Sequence, residues 1–257
     1  MSEPQERINV LGVGISVLNL ESATEQIHDA LEQGRRGYIC VQGAHGVIEA
    51  QDNPELLNAF NRSFLTTPDG MPTVLLGRHF FGKRQMERVY GPDLMVKVFN
   101  CQENRGTRHF LYGGNEGVAE LLREKLLERF PNAQIVGTYC PPFRELTAEE
   151  ESDLAAQMRE AKPDITWIGL STPKQDLFMQ GYIDRLPTTL MIGVGAAFDF
   201  HAGLKPTAPH WVQSISMEWL YRLITEPKRL WPRYRSVVPR FLYLIARQMS
   251  GIDRYQL

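Results

Sequence analysis

The chain has 257 residues, 43% apolar and 23% charged, enough to bury a full core and too apolar for global disorder. Its net charge of -2 offers no basic surface for neutralising phosphates, so nucleic acid is not expected as a partner. Cys40, Cys101 and Cys140 are odd in number, far apart and in no CxxC pair, which argues against a disulfide framework or a zinc site and suits a reducing cytosol.

Residues 1–7 are polar and include Glu3 and Glu6, without the basic start and apolar run of a secretory signal. No window reaches the roughly 18 to 20 apolar residues of a membrane-crossing helix, so membrane contact is expected to be peripheral. Strands are predicted at 8–13, 38–41, 108–112, 134–139, 165–170 and 190–194, where short apolar runs are rich in β-formers. Amphipathic stretches lie between them. Ser22 is expected to cap a helix reaching about Gln33, and Asn115 to start one reaching about Phe130. Thr147 opens another, with Glu150 completing a capping box, and a fourth covers 174–185. This alternation predicts an α/β fold with a Rossmann-like, layered, mostly parallel sheet.

Beyond Ala208 the texture changes. Trp211, Trp219, Tyr221, Trp231, Tyr234, Phe241 and Tyr243 interleave with Arg222, Lys228, Arg229, Arg233, Arg235, Arg240 and Arg247, opposed only by Glu218 and Glu226. Residues 211–248 carry a net +5, leaving about -7 on the rest of the chain. The expected division is an α/β catalytic domain over 1–207 and a basic, aromatic-rich helical appendage over 208–257.

Ligands of parallel sheets gather where the carboxyl ends of strands meet their loops, and four such loops stand out. Gly113 and Gly114 precede a helix, where glycines let backbone N–H groups approach an anion; a tight strand-to-helix turn explains them equally. The next strand ends in Tyr139 and Cys140, without the acidic residue that holds a dinucleotide ribose, which lowers a nicotinamide-dependent oxidoreductase without removing it. No GxxxxGK[ST] loop occurs. Pro68-Asp69-Gly70 is an ordinary turn sequence, yet a carboxylate there is well placed to act as a general base. The third loop, 170–176, has Pro173 at a helix start, which simple capping accounts for. The fourth, 193–199, again joins a strand to a glycine-rich turn and a carboxylate.

Seven segments in register resemble the bacterial WecG/TagA/CpsF glycosyltransferase family from about residue 8 to 241. They are Pro68-Asp69-Gly70; the Arg-Val-Tyr-Gly-Pro-Asp-Leu run at 88–94; Leu111-Tyr112-Gly113-Gly114; Val136-Gly137-Thr138; 169–175; 193–199; and Glu218-Trp219-Leu220-Tyr221-Arg222-Leu223 with Glu226-Pro227-Lys228-Arg229. The resemblance implies an inverting, metal-independent transfer in surface polysaccharide synthesis. The donor would be a UDP-sugar, often an N-acetylmannosamine derivative, and the acceptor a polyprenyl-diphosphate-linked sugar. No cofactor is implied. The chain has no Asp-x-Asp pair of the kind that holds donor phosphates through a metal, so cationic side chains and helix N-termini would take up the leaving charge.

Carried over by position, the resemblance makes Asp69 the catalytic base, Arg88 the diphosphate-stabilising arginine and Gln175 the donor-site glutamine. Gly113, Gly114, Gly195, Phe198 and Asp199 would lie in loops around the nucleotide. The ordinary alternatives are a salt bridge for Arg88 and a helix-face amide for Gln175. One departure stands out: many family members carry Thr-x-Asn after the second strand, where this chain has Cys40-Val41-Gln42. Gln42, at a donor-binding position, reaches about one methylene further than asparagine. His45 is a secondary candidate, although a lone histidine beside a helix start is more often structural.

The C-terminal segment resembles the family's membrane-targeting appendage. Tryptophan and tyrosine favour the headgroup region, and each arginine near an anionic leaflet adds about 1 kcal/mol of attraction. Arg222, Arg229 and Arg233 are candidates for that surface or for reaching over the site to the diphosphate. A helical hairpin that packs its aromatics into the core is the rival reading. The expected location is cytoplasmic, peripheral at the inner face of the cell membrane. A non-catalytic nucleotide-sugar binding module is a third functional class, and nothing in the chain decides for or against a homo-oligomer.

Overall fold

The structure is a computed structural model describing residues 5–103, 105–209, 212 and 217–257. It opens with an antiparallel hairpin of β1 (Arg7–Val10) and β2 (Val13–Ser16), where the sequence predicted one strand over 8–13. Leu11 and Gly12 turn it with φ of 53° and 83°, the left-handed backbone that a two-residue hairpin turn uses. An unbroken apolar run concealed that turn. The first helix, α1 (Leu20–Glu32), is capped by Asn19 rather than Ser22. Ser22 sits three residues in and returns the bond, its hydroxyl accepting from the Asn19 N–H at 2.9 Å.

The main sheet follows. It contains β3 (Gly37–Gln42), β4 (Leu65–Pro68), β5 (Arg108–Gly113), β6 (Gln134–Tyr139), β7 (Ile165–Gly169) and β8 (Leu190–Gly193), in the order β4-β3-β8-β7-β5-β6. All its pairings are parallel. The connecting helices are α2 (Ala44–Asp52), α3 (Pro54–Arg62), α4 (Met71–His79), α5 (Gly91–Gln102), α6 (Val118–Arg129), α7 (Ala148–Ala161), α8 (Lys174–Tyr182) and α9 (Ala197–His201). The capping box predicted at Thr147 and Glu150 is present at the start of α7, whereas the helix expected from Asn115 begins at Val118.

Side-chain alternation along the strands splits the core in two. Tyr38, Cys40, Phe110, Tyr112, Ile168 and Met191 face one way, against residues of α2, α3, α7 and α8. Ile39, Leu65, Leu111, Trp167 and Ile192 face the other way, against α1, α5, α6 and α9. The adjacent strands β3 and β8 therefore send their chains to opposite sides, β3 to α2 and β8 to α9. A crevice between their carboxyl ends is the expected consequence of that divergence.

Two C-terminal helices complete the chain, α10 (Glu218–Thr225) and α11 (Pro227–Met249). Val237, Phe241 and Ile245 of α11 join the same core cluster as Val47 and Ile48 of α2. The Arg240 guanidinium pairs with Asp52. The Gln248 amide accepts from Leu11 N–H and donates to the Asn9 carbonyl, at 3.0 and 2.9 Å, fastening the helix to the β1–β2 hairpin. Phe241 is thus a core residue, while Trp219, Trp231, Leu242 and Tyr243 remain at least half exposed. Trp211 and the side chain of Arg229 lie outside the described residues. No helix among the described residues is long and apolar enough to cross a membrane.

Candidate active site

The carboxyl ends of β3, β4, β7 and β8 carry Gln42, Asp69, Gln175 and Gly195 on strand ends or the loops and helix that follow them. Asp69 follows the last residue of β4, its N–H bonded to the Gln42 carbonyl at 2.9 Å and its Oδ1 accepting from Gly91 N–H at 3.3 Å. Gly91 opens α5, so the carboxylate faces the N-terminal, partially positive end of a helix. Burial pushes the Asp69 pKa above its ordinary value of 3.8, opposed by the nearby charges of Arg88 and Arg222. A carboxyl group held in one pose with a raised pKa has the makings of a general base.

Arg88 is oriented at three points. Its Nε donates to the Asp69 carbonyl at 2.8 Å, its Nη2 pairs with Glu218 Oε2 at 2.9 Å, and its guanidinium lies 4.1 Å from the Tyr90 ring centroid. Desolvation works against its charge, but Asp69 and Glu218 outweigh that and raise its pKa. The salt bridge anticipated as an ordinary role for Arg88 therefore exists, with a carboxylate supplied by α10. Glu218 is 5% exposed, and no feature of the sequence had marked it as a site residue. Arg222, one helical turn on, has a buried Nε with no hydrogen-bond partner among the described residues and places its guanidinium 5.4 Å from the Phe200 ring. Arg233 lies nearer His45, whose pKa burial and the Arg233 charge push down to about 4. His45 also meets Glu49 one turn along α2, in keeping with a structural role.

Gln175 is buried in the first turn of α8, and its Oε1 has no hydrogen-bond partner among the described residues. Thr67 Oγ1, two residues before Asp69, is likewise buried and unpartnered. Leaving such atoms unsatisfied is costly, and of the four such side-chain atoms among the described residues only His109 Nε2, at the start of β5, lies away from this end of the sheet. Gly195 turns beside Gln175, and a Cβ on it would sit 3.5 Å from Oε1. Gln42 is buried too. Its Nε2 is committed to Asp176 Oδ1 at 2.9 Å and to Thr172 Oγ1 at 3.1 Å, so its amide nitrogen does not project freely into the crevice.

Gly113 ends β5 beside β7 and Gly114 follows it, its N–H donating to the Gly169 carbonyl at 3.1 Å. Gly113 has φ of 138°, and a Cβ there would lie 2.6 Å from Gly169 backbone atoms. Gly113→Ala is accordingly expected to cost about 3 kcal/mol or more in a denaturant titration, since both the backbone and the close strand contact resist it; an unchanged midpoint and slope would contradict this packing. Phe198 lies beneath these loops, its ring filling the space a Gly169 side chain would need. Asp199 pairs with Lys205 at 2.6 Å. Among the described residues no three His, Cys, Asp or Glu side chains converge as a ligand set for a metal.

Residues 8–254 match the model of the glycosyl transferase WecG/TagA/CpsF family. The chain is also 28% identical over 205 residues to the N-acetylglucosaminyldiphosphoundecaprenol N-acetyl-beta-D-mannosaminyltransferase of Bacillus subtilis (strain 168), covering 80% of this chain and 76% of that protein. The protein of the same name from Bacillus spizizenii is 26% identical over 212 residues, covering 82% of this chain and 79% of its own.

Proposed function

Because the chain belongs to the WecG/TagA/CpsF family of glycosyl transferases, we propose that it moves an N-acetylmannosamine-type sugar from UDP to a sugar carried on a polyprenyl diphosphate, working at the inner face of the cell membrane. The names of the two Bacillus relatives supply the acceptor and sugar classes. The observation that carries the reading is the pairing at the end of β4: a carboxyl group with a raised pKa, Asp69, tied through its own carbonyl to the arginine Arg88. In the reaction, the acceptor hydroxyl attacks the anomeric carbon and loses its proton to Asp69. The bond to UDP breaks with its electron pair, inverting that carbon. Arg88 and Arg222 then stabilise the charge that develops on the leaving diphosphate. Gln175 holds the transferred sugar through its unpartnered Oε1.

The reading is tested by incubating the full chain with UDP-N-acetylmannosamine, other UDP-sugars and a short-chain lipid diphosphate N-acetylglucosamine, with and without EDTA, and detecting product by mass. Product that persists in EDTA supports it. Product that needs added magnesium or manganese overturns the metal-free step, and a thermal shift with NAD but not UDP overturns the function.

The membrane part rests on the outward side of the C-terminal helices. Trp231 and Leu242 are 59% and 63% exposed on the helix that buries Val237 and Phe241, and Lys228 and Arg235 are exposed alongside. Apolar side chains flanked by cations suit an anionic leaflet. Replacing Trp231 and Leu242 together by Ser is expected to weaken binding to anionic vesicles about tenfold or more while UDP affinity is unchanged. Equal vesicle binding by the variant would remove this surface from the account. Deleting the segment is a poorer test, since it would uncover the core that Val237, Phe241 and Ile245 help to fill.

A further inference from the structure

Beside the groups assigned a chemical role lies a carboxylate that the mechanism does not use. Asp176 is fully buried in the first turn of α8. Its Oδ1 accepts from Gln42 Nε2 at 2.9 Å and its Oδ2 from Thr172 Oγ1 at 2.9 Å. Gln42 belongs to β3, whereas Asp176 follows β7, and β8 runs between those two strands. The bond therefore passes over the end of β8. Gly193, at that end, leaves room for α8, since a Cβ there would meet Met179 Cε at 2.8 Å and Gln175 Nε2 at 3.1 Å.

The two ends of this bridge lead to the two sides of the reaction. On one side, Asp176 is bonded in sequence to Gln175. On the other, the Gln42 carbonyl receives the Asp69 N–H at 2.9 Å. We infer that Asp176 is a positioning residue: its carboxylate, gripping Gln42 across β8, sets the separation between the base Asp69 and the donor-holding amide of Gln175. Burial pushes the Asp176 pKa up to about 6, only partly offset by the hydrogen bonds it receives, so this carboxylate is kept in place against its own desolvation. Asparagine at 42 would fall about one methylene short of Asp176. The departure of this chain from the Thr-x-Asn pattern is thereby matched to the length of the side chain at 176.

The inference rests on the proposed transfer, so its test uses that reaction: the full chain with UDP-N-acetylmannosamine and a short-chain lipid diphosphate N-acetylglucosamine. Gln42→Asn and Asp176→Glu, each alone, are expected to lower kcat on the order of 10- to 10²-fold, because small misplacements of reacting groups are that costly. The donor KM should move less than about threefold. Combining the two keeps the summed side-chain length and is expected to bring kcat back to within about threefold of wild type. A double variant no faster than the slower single one overturns the inference, as do single variants with wild-type kcat. Variants that lose KM and kcat together with their cooperative melting, and are not rescued in combination, also overturn it by showing a purely structural role. Wild-type protein that makes no product with any UDP-sugar refutes the proposed function, and this inference with it.

Discussion

Asp69→Asn is expected to lower kcat for sugar transfer 10²-fold or more while UDP affinity stays within about twofold of wild type. The substitution is nearly isosteric. The Asn Oδ1 can still accept from Gly91 N–H, and the backbone bonds from Asp69 to Gln42 and Arg88 involve no carboxylate. What is lost is the capacity to accept the proton of the attacking hydroxyl. Steady-state turnover and a UDP titration on the same preparation separate this from misfolding. A variant that turns over like wild type would move the base elsewhere.

Arg88→Met should have two consequences with different origins. Removing the cation proposed to stabilise the leaving diphosphate is expected to lower kcat on the order of 10² to 10³-fold. The same change leaves Glu218 buried without its cation, and such orphaned charges destabilise strongly. Adding Glu218→Gln removes the stranded charge with a nearly isosteric side chain. The double variant should therefore regain most of the lost melting temperature and none of the lost rate. Recovery of rate along with stability would reduce Arg88 to a structural ion pair.

Most of the parallel sheet and the helix opened by Thr147 were legible in the sequence, because β-branched apolar runs and a Thr-x-x-Glu box express local preferences; the Asn53-Pro54 start of α3 went unread despite its side-chain cap. Other elements left weaker traces. β4 is only four residues, with Thr66 and Thr67 buried where apolar side chains would have signalled a strand. Among the helices between β3 and β5, α2 and α4 start at glycine caps without a side-chain bond. Asp69, Arg88 and Gln175 were reached through their loops and the family resemblance. Asp176 and Glu218 were not singled out, since what defines them is contact with residues 134 and 130 positions away. Lone acidic residues near helix starts look alike until the fold brings a partner. The charge and aromatics of the C-terminal segment are visible in the sequence, whereas the alternation of inward Phe241 with outward Leu242 appears only once α2 is packed beneath it.

The most direct test of the account is kcat/KM for transfer measured against pH for wild type and Asp69→Asn. As the proposed base, Asp69 would act only when deprotonated, and burial raises its pKa. Wild-type activity should therefore fall as pH drops through a value above the ordinary carboxylate range of about 4. The Asn variant should keep a low residual rate without that acid limb. The same limb in both proteins would show that another group takes the proton, and the central claim would fail.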